Sequence, residues 1–268
     1  MDWIEANGVS LRYELSGSGD RTLVLVHEMG GTLESWDRVV PALLPADRRH
    51  GRRILRYDTR GAGQSEKVRC PITFDDMAED LAALLDGLSI TGTVALAGCA
   101  VGAGIALRFT SRYPERVGCV VAMAPATGMP PERRDKTLAQ IAENERLGPR
   151  AVVEQSFANS YPPEVRFDAA EYKRFRLRWI ANDPQSQAAI YRMLVNGTVT
   201  EDLPRIACPV LMLAGVHDRL RPPKLVQALA GGMPNARFRA LETGHFMAVQ
   251  TPALIADAIG DFLRENGF

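Results

Sequence analysis

The chain has 268 residues, 46% of them hydrophobic, which is enough apolar material to fill one large core. Lys and Arg total 32, and so do Asp and Glu, so the formal net charge is zero. A neutral chain offers no positive field to hold nucleic acid or an anionic membrane. We therefore expect a small-molecule substrate and neither of those partners.

Cysteine usage and the N-terminal residues indicate where the protein works. The four cysteines are scattered without CxxC spacing, which suits a reducing compartment. Residues 1–5 lack the basic and apolar regions of a signal peptide, and no apolar run approaches the length of a membrane span. We expect a cytoplasmic protein that acts as a monomer or homodimer.

Short apolar runs and amphipathic patterns alternate along the chain. The runs predict buried parallel strands at 22–26, 53–57, 93–97, 117–122 and 209–213. Amphipathic patterns predict helices at 74–88, 102–113 and 254–263. This alternation predicts an α/β fold, a mostly parallel sheet flanked by helices, with a site in the loops at the carboxyl ends of the strands.

The alternation stops between 127 and 204, where the sequence is helix-rich, charged and aromatic without a convincing strand. We expect residues 127–204 to form an inserted helical lid, and residues 1–126 and 205–268 to form the core. The lid would bring aromatic side chains such as Tyr161 and Trp179 to a substrate. The alternative is an ordinary helical layer whose aromatic residues only pack together.

Glycine-bearing and polar motifs follow the predicted strands in a fixed order. After the first two strands come HEMGG at 27–31 and DTRGAGQS at 58–65. GCAVG at 98–102 lies between the third strand and a helix, and GVHD at 215–218 and TGHF at 243–246 come later. No phosphate loop, metal-ligand cluster or dinucleotide fingerprint is present, so we expect neither a metal nor an organic cofactor.

Over essentially its whole length, this order of motifs resembles the α/β-hydrolase superfamily. HEMGG is similar to that family's oxyanion loop, and GCAVG is similar to its G-x-S-x-G nucleophile elbow. The resemblance implies that Asp218 is the catalytic acid and His245 the base. It also implies that the backbone N–H groups of Met29 and Val101 form the oxyanion hole.

The elbow departs from the family pattern, because Ala100 stands where the nucleophilic serine is expected. A methyl group cannot attack a carbonyl, so no acyl-enzyme can form on this residue. Either a serine was replaced experimentally, or the chain diverged naturally. The neighbouring Cys99 would need a shifted elbow to act as nucleophile, with Val101 at a position that requires a small residue, so we interpret it as a packing residue.

Glu28 is a second departure, because relatives usually carry glycine there. It is a candidate second acid or base, although a solvated or ion-paired carboxylate is an equal alternative. His27 is expected to support the oxyanion loop and to lie near the substrate. Asp58 and Arg60 are expected to anchor loops, and His217 to be an ordinary loop residue.

Three arginines of the predicted lid, at 174, 176 and 178, lie within a stretch similar to the lids of enol-lactonases and of hydrolases that process carboxylated ring-cleavage products. Residues spaced by two cannot all lie on one helical face. Arg178, next to Trp179, is the candidate for binding a substrate carboxylate.

The resemblance implies an enzyme acting on a small carboxylated ester, lactone or enol-type compound, preferably by hydrolysis. Without a serine, His245 held by Asp218 could activate water directly. Two alternatives remain open. One is a cofactor-independent lyase, decarboxylase or oxygenase that uses His245 as base, and the other is a non-catalytic ligand-binding protein of the same fold.

Overall fold

A computed structural model describes residues 1–44 and 51–268 of the chain. One sheet runs through the molecule. Its strands, in chain order, are β1 (Asp2–Ala6), β2 (Val9–Gly17), β3 (Arg21–Val26), β4 (Arg52–Tyr57), β5 (Val94–Cys99), β6 (Val117–Met123), β7 (Val210–Gly215) and β8 (Ala236–Leu241).

The spatial order of the strands is β1-β2-β4-β3-β5-β6-β7-β8. The β1–β2 and β2–β4 pairs are antiparallel, and every other pair is parallel. Because β3 to β8 run in the same direction, their carboxyl ends meet at one edge of the sheet. The predicted α/β class and mostly parallel sheet are therefore confirmed.

Ten α-helices accompany the strands in the described residues. They are α1 (Val40–Leu43), α2 (Phe74–Gly87), α3 (Val101–Arg112), α4 (Arg134–Leu147), α5 (Pro149–Ser160), α6 (Ala169–Ile180), α7 (Pro184–Asn196), α8 (Pro223–Gly231), α9 (Met247–Gln250) and α10 (Pro252–Glu265). The three helices predicted from amphipathic patterns correspond to α2, α3 and α10. At the start of α2, Thr73 and Asp76 each accept a hydrogen bond from the other's backbone N–H.

Helices cover both faces of the sheet because neighbouring residues of each central strand point in opposite directions. Val24 joins the apolar layer beneath α2 and α3, whereas Leu25 joins the layer beneath α1 and α10. Both side chains are fully buried. The strands β3, β5, β6 and β7 are therefore nearly continuous apolar runs, whereas β4 also carries arginines.

Between β6 and β7 the chain forms α4 to α7 and short 3-10 turns, without a strand. We call residues 127–204 the helical insertion. Phe157, Tyr161 and Phe175 form an aromatic cluster inside it. Phe246, from the core, belongs to the same cluster, with its ring centroid 4.8 Å from that of Phe175. The insertion is thus packed directly onto the loop that carries His245.

In residues 1–44 and 51–268, no helix is both long and apolar enough to cross a membrane.

Candidate active site

The turn between β5 and α3 has the shape of a nucleophile elbow. Ala100 adopts φ 51° and ψ −112°, a strained conformation for a residue with a side chain. A Cβ on Gly98 would come within 2.4 Å of the carbonyl oxygen of Gly102, and a Cβ on Gly102 within 2.3 Å of that of Val26. Both glycines are therefore needed for strand, turn and helix to pass this closely.

This elbow presents a methyl group. The backbone of Ala100 is held by hydrogen bonds, since its N–H donates to Met123 and its carbonyl accepts from Gly104 and Ala126. Ala100 is only 5% exposed. The turn thus has the backbone conformation expected of an elbow, and what it lacks is a reactive side-chain atom.

Two backbone N–H groups, those of Val101 and Met29, are the predicted donors to an oxyanion. Val101 is the first residue of α3, and its N–H precedes the first helical hydrogen bond, which runs from Gly104 to Ala100. Within the part of the chain that the structure describes, the N–H of Met29 has no backbone or side-chain acceptor. These are the two donors that the sequence predicts for an oxyanion hole.

His245 and Asp218 form a close pair after β8 and β7. The Nδ1 atom of His245 lies 2.7 Å from Oδ2 of Asp218. The other carboxylate oxygen accepts hydrogen bonds from the backbone N–H groups of Leu220 and Arg221, at 2.8 and 2.9 Å. A carboxylate that accepts from Nδ1–H leaves the lone pair of Nε2 free to take a proton.

Opposing effects act on the Asp218 carboxylate. Burial by itself would raise its pKa, because the charged form is removed from water. The charge and hydrogen bond of His245, together with the two backbone donors, outweigh burial and hold the pKa below its usual value. Asp218 therefore stays ionised and can stabilise a protonated His245.

Cys99 is packed against the backbone of the loop that carries His245. Its side chain is fully buried, and its thiol donates a hydrogen bond to the backbone carbonyl of His245 at 3.3 Å. Burial, with added repulsion from the charges of Glu28 and Asp218, raises the pKa of the thiol well above its usual value. A thiol held in this way is a poor nucleophile, which agrees with the packing role predicted for Cys99.

Glu28 is completely buried in the loop after β3. Its Oε1 atom accepts a hydrogen bond of 2.6 Å from the hydroxyl of Ser35. The carboxylate lies against Gly31, where a Cβ would come within 2.1 Å of Oε1. The Oε2 atom has no hydrogen-bond partner among the described residues. Burial excludes the solvated role considered from the sequence, and Glu28 has no ion-pair partner in residues 1–44 and 51–268.

His27 connects two loops at the edge of the sheet. Its Nε2 atom accepts from the backbone N–H of Thr59 at 3.0 Å, and Nδ1 lies 2.7 Å from the carbonyl oxygen of Glu28. Both ring nitrogens are thus occupied by the backbone, and the side chain is 1% exposed. The structure places His27 as a support of the oxyanion loop and leaves neither ring nitrogen free for a substrate.

Trp179 and Tyr161 of the helical insertion occupy different surroundings. Trp179 packs on the oxyanion loop, where a Cβ on Gly30 would come within 2.2 Å of its ring. The neighbouring Asn182 donates a hydrogen bond to the carbonyl of Gly30 at 3.0 Å. Tyr161 lies inside the aromatic cluster and is 1% exposed, and burial raises the pKa of its hydroxyl. Trp179 is therefore beside the predicted site, and Tyr161 lies within the packing that supports it.

The three arginines of α6 separate into different positions. Arg176 pairs with Glu154 on the surface. Arg174 and Arg178 both reach Glu171, at 2.7 and 3.3 Å. Of the three, Arg178 alone lines both of two cavities, of about 70 and 280 Å³, between α6 and the loop after β3. Its Nε atom is buried without a partner in the described part of the chain.

The remaining polar residues singled out from the sequence are structural in this geometry. The buried carboxylate of Asp58 accepts from the backbone N–H groups of Leu33 and Gln64, both at 2.8 Å. Arg60 pairs with Asp80, and His217 lies on the surface, 3.1 Å from Glu242. In residues 1–44 and 51–268, no group of three His, Cys, Asp or Glu side chains is arranged to hold a metal ion.

Sequence reasoning missed two residues that hold the site together. Ser35, on the turn after the oxyanion loop, anchors Glu28. Gln250 donates from Nε2 to the carbonyl of Ser160 at 2.9 Å, and that carbonyl also accepts from the backbone N–H of His245 at 3.3 Å. No local motif marks these side chains, because each acts through a contact that only the fold creates.

Comparisons with known proteins agree with this geometry. Residues 21–162 match the family model for the alpha/beta hydrolase fold, so the chain belongs to the α/β-hydrolase family. The chain is 28% identical to a 2-hydroxy-6-oxononadienedioate/2-hydroxy-6-oxononatrienedioate hydrolase of Paraburkholderia phymatum, covering 96% of this chain and 93% of the relative.

It is also 25% identical to 3-oxoadipate enol-lactonase 2 of Acinetobacter baylyi, over 96% and 94% of the two chains. A thermophilic esterase of Thermogutta terrifontis superposes with a TM-score of 0.89 at 25% identity, covering 99% of each chain. The family and these relatives identify the chain as a hydrolase-like enzyme.

Proposed function

We propose that this protein hydrolyses a small carboxylated ester, lactone or enol-type compound, with water in place of the serine nucleophile. His245 acts as the base, Asp218 orients it, and the N–H groups of Met29 and Val101 stabilise the oxyanion. The observation that carries the proposal is the 2.7 Å contact between His245 and Asp218, retained beside a complete elbow that bears only a methyl group.

The relatives support the substrate class. Those reported above are named for an enol lactone and for ring-cleavage products with two carboxylates, and the solved relative is an esterase. Hydrolysis of an ester or a lactone proceeds by attack on the carbonyl carbon, followed by departure of an oxygen group. A base and an oxyanion hole serve such a step whether the attacking oxygen belongs to serine or to water.

Comparison of the chain with its A100S variant tests the proposal. We expect the unmodified chain to hydrolyse aryl esters or enol lactones without forming a covalent adduct. The A100S variant should form an acyl adduct that is visible by mass spectrometry after rapid quenching, because the elbow would aim the new hydroxyl at His245. Activity restricted to A100S would instead identify this chain as a disabled serine hydrolase.

A further inference from the structure

We propose that the buried carboxylate of Glu28 binds the attacking water and, with His245, aims it at the substrate carbonyl. This inference rests on the proposed function and assigns its nucleophile a site. Glu28 would then be a catalytic residue that takes over part of the positioning that the serine side chain provides in relatives.

The two carboxylate oxygens of Glu28 differ in their hydrogen bonds. A completely buried carboxylate oxygen without a donor is costly, and such atoms mark places where a ligand or water donates. Because the Ser35 hydroxyl donates to Oε1 at 2.6 Å, it fixes the carboxylate in one orientation. Oε2, which has no partner in the described residues, remains as an acceptor.

The loop that carries Glu28 packs against the elbow. The carbonyl groups of Val26 and His27, directly before it, press against Gly102 in the first turn of α3. Glu28 directly follows His27, so its side chain starts from the loop that packs against α3. At the elbow itself, the thiol of Cys99, next to Ala100, donates a hydrogen bond to the backbone carbonyl of His245. The oxyanion loop, the elbow and the histidine loop therefore meet around Ala100.

The two unusual residues, Ala100 and Glu28, have complementary effects on hydrogen bonding at the site. Ala100 removes the hydroxyl that would donate to His245 Nε2, and Glu28 adds an acceptor in the adjoining loop. A water molecule has two hydrogens to donate. One would be donated to Nε2 of His245 and the other to Oε2 of Glu28, which leaves an oxygen lone pair directed towards the carbonyl carbon.

The resulting step balances without a covalent enzyme intermediate. The water oxygen bonds to the carbonyl carbon, its proton passes to Nε2 of His245, and the carbonyl electron pair moves to the oxygen held by Met29 and Val101. When the carbonyl re-forms, the bond to the leaving oxygen breaks. That oxygen takes the proton from His245, and Glu28 remains unchanged throughout.

The kinetic test uses E28Q, which preserves shape and keeps an oxygen for the Ser35 hydroxyl. Its amide nitrogen would donate where Oε2 accepts, so the water would be turned away from the carbonyl. We expect kcat to fall about 100-fold with KM almost unchanged. The control is E79Q, which alters an exposed ion pair with Arg112 on α2 and α3 and should retain full activity. An E28Q variant as active as the unmodified chain would overturn the proposal.

A crystal structure of the unmodified chain tests the water site independently of turnover. The expected result is a water within hydrogen-bond distance of both Glu28 Oε2 and His245 Nε2, displaced by the hydroxyl in A100S. A Glu28 side chain without such a water, or turned away from His245, would overturn the inference. If the chain hydrolyses no ester or lactone, the proposed function fails, while the crystal structure still decides whether Glu28 and His245 share a water.

Discussion

At the residue scale, two unusual residues lie within an otherwise ordinary site. Ala100 has the strained backbone of an elbow, with φ at 51°, although its side chain is an unreactive methyl group. Such strain costs of order 1–3 kcal/mol and persists where the surroundings impose it. Here the surroundings are the close approach at Gly98 and Gly102 and the hydrogen bonds on either side of Ala100.

We expect the Asp218–His245 pair to make the stability of the protein depend on pH. Because the pKa of Asp218 is lower in the folded protein than its usual value of 3.8, the ionised carboxylate contributes stability above that value. The contribution is lost as the pH falls through the lower, folded-state pKa.

We expect D218N to melt below the unmodified chain at neutral pH, with the difference in Tm shrinking as the pH falls below about 4. The same variant should lose activity about 100-fold or more, since a neutral amide at this position no longer stabilises protonated His245. Thermal unfolding followed by circular dichroism across this pH range provides the measurement. A difference in Tm that stays constant with pH would contradict the assigned pKa shift.

Some features of the candidate site could be predicted from the sequence, and others could not. The turn at Ala100 and the meeting of Asp218 with His245 could be predicted, because the family resemblance assigns them positions beside glycines in a fixed order. The surroundings of Glu28 were not predictable. Its burial depends on Ser35 and Gly31 approaching it in the folded loop, and no spacing rule encodes that contact.

At the element scale, the helical insertion and the histidine loop form one packed unit. Phe246 lies in the aromatic cluster of the insertion, and the carbonyl of Ser160 at the end of α5 accepts from the N–H of His245. Movement of α5 would therefore disturb the base. That the insertion acts as a lid over a substrate remains a prediction, supported by the contact of Trp179 with the oxyanion loop.

Arg178 is the residue that we expect to bind a negatively charged substrate. It lines both cavities between α6 and the loop after β3, and a charge-assisted hydrogen bond to a carboxylate contributes about 1.5–3 kcal/mol. We expect R178A to raise KM for a carboxylated ester about 10-fold or more, and to leave a neutral ester of the same size unaffected. Initial rates over a range of substrate concentrations measure both values.

The matched control is R176A, because Arg176 lies on the same helix but pairs with Glu154 outside both cavities. Equal increases in KM for the carboxylated and neutral esters, or equal effects of R176A and R178A, would show that Arg178 does not recognise substrate charge.

The strands that the sequence missed share a physical cause. β1, β2 and β8 lie at the two sides of the sheet and have largely half-buried or exposed residues, so they lack the apolar runs of β3, β5, β6 and β7. Composition predicts the helical insertion, but it does not predict how the aromatic side chains of the insertion pack into a cluster. That cluster depends on contacts between distant segments, such as Phe157 with Phe246.

At the scale of the whole molecule, the parallel sheet explains why residues far apart in sequence meet. Glu28, Ala100, Asp218 and His245 all follow strands whose carboxyl ends share one edge. We therefore expect the α/β-hydrolase fold to supply a base and an oxyanion hole whatever residue occupies the elbow. In this chain, the fold is predicted to support hydrolysis by water rather than through an acyl-enzyme.

The measurement that tests this account most directly is the rate of hydrolysis of carboxylated enol lactones and aryl esters by the unmodified chain and by H245A. We expect the unmodified chain to exceed the buffer rate and H245A to be at least about 100-fold slower, because His245 is the group that takes the proton from water. An unmodified chain no faster than buffer, or an H245A variant equal to it, would contradict the central claim that His245 activates water at Ala100.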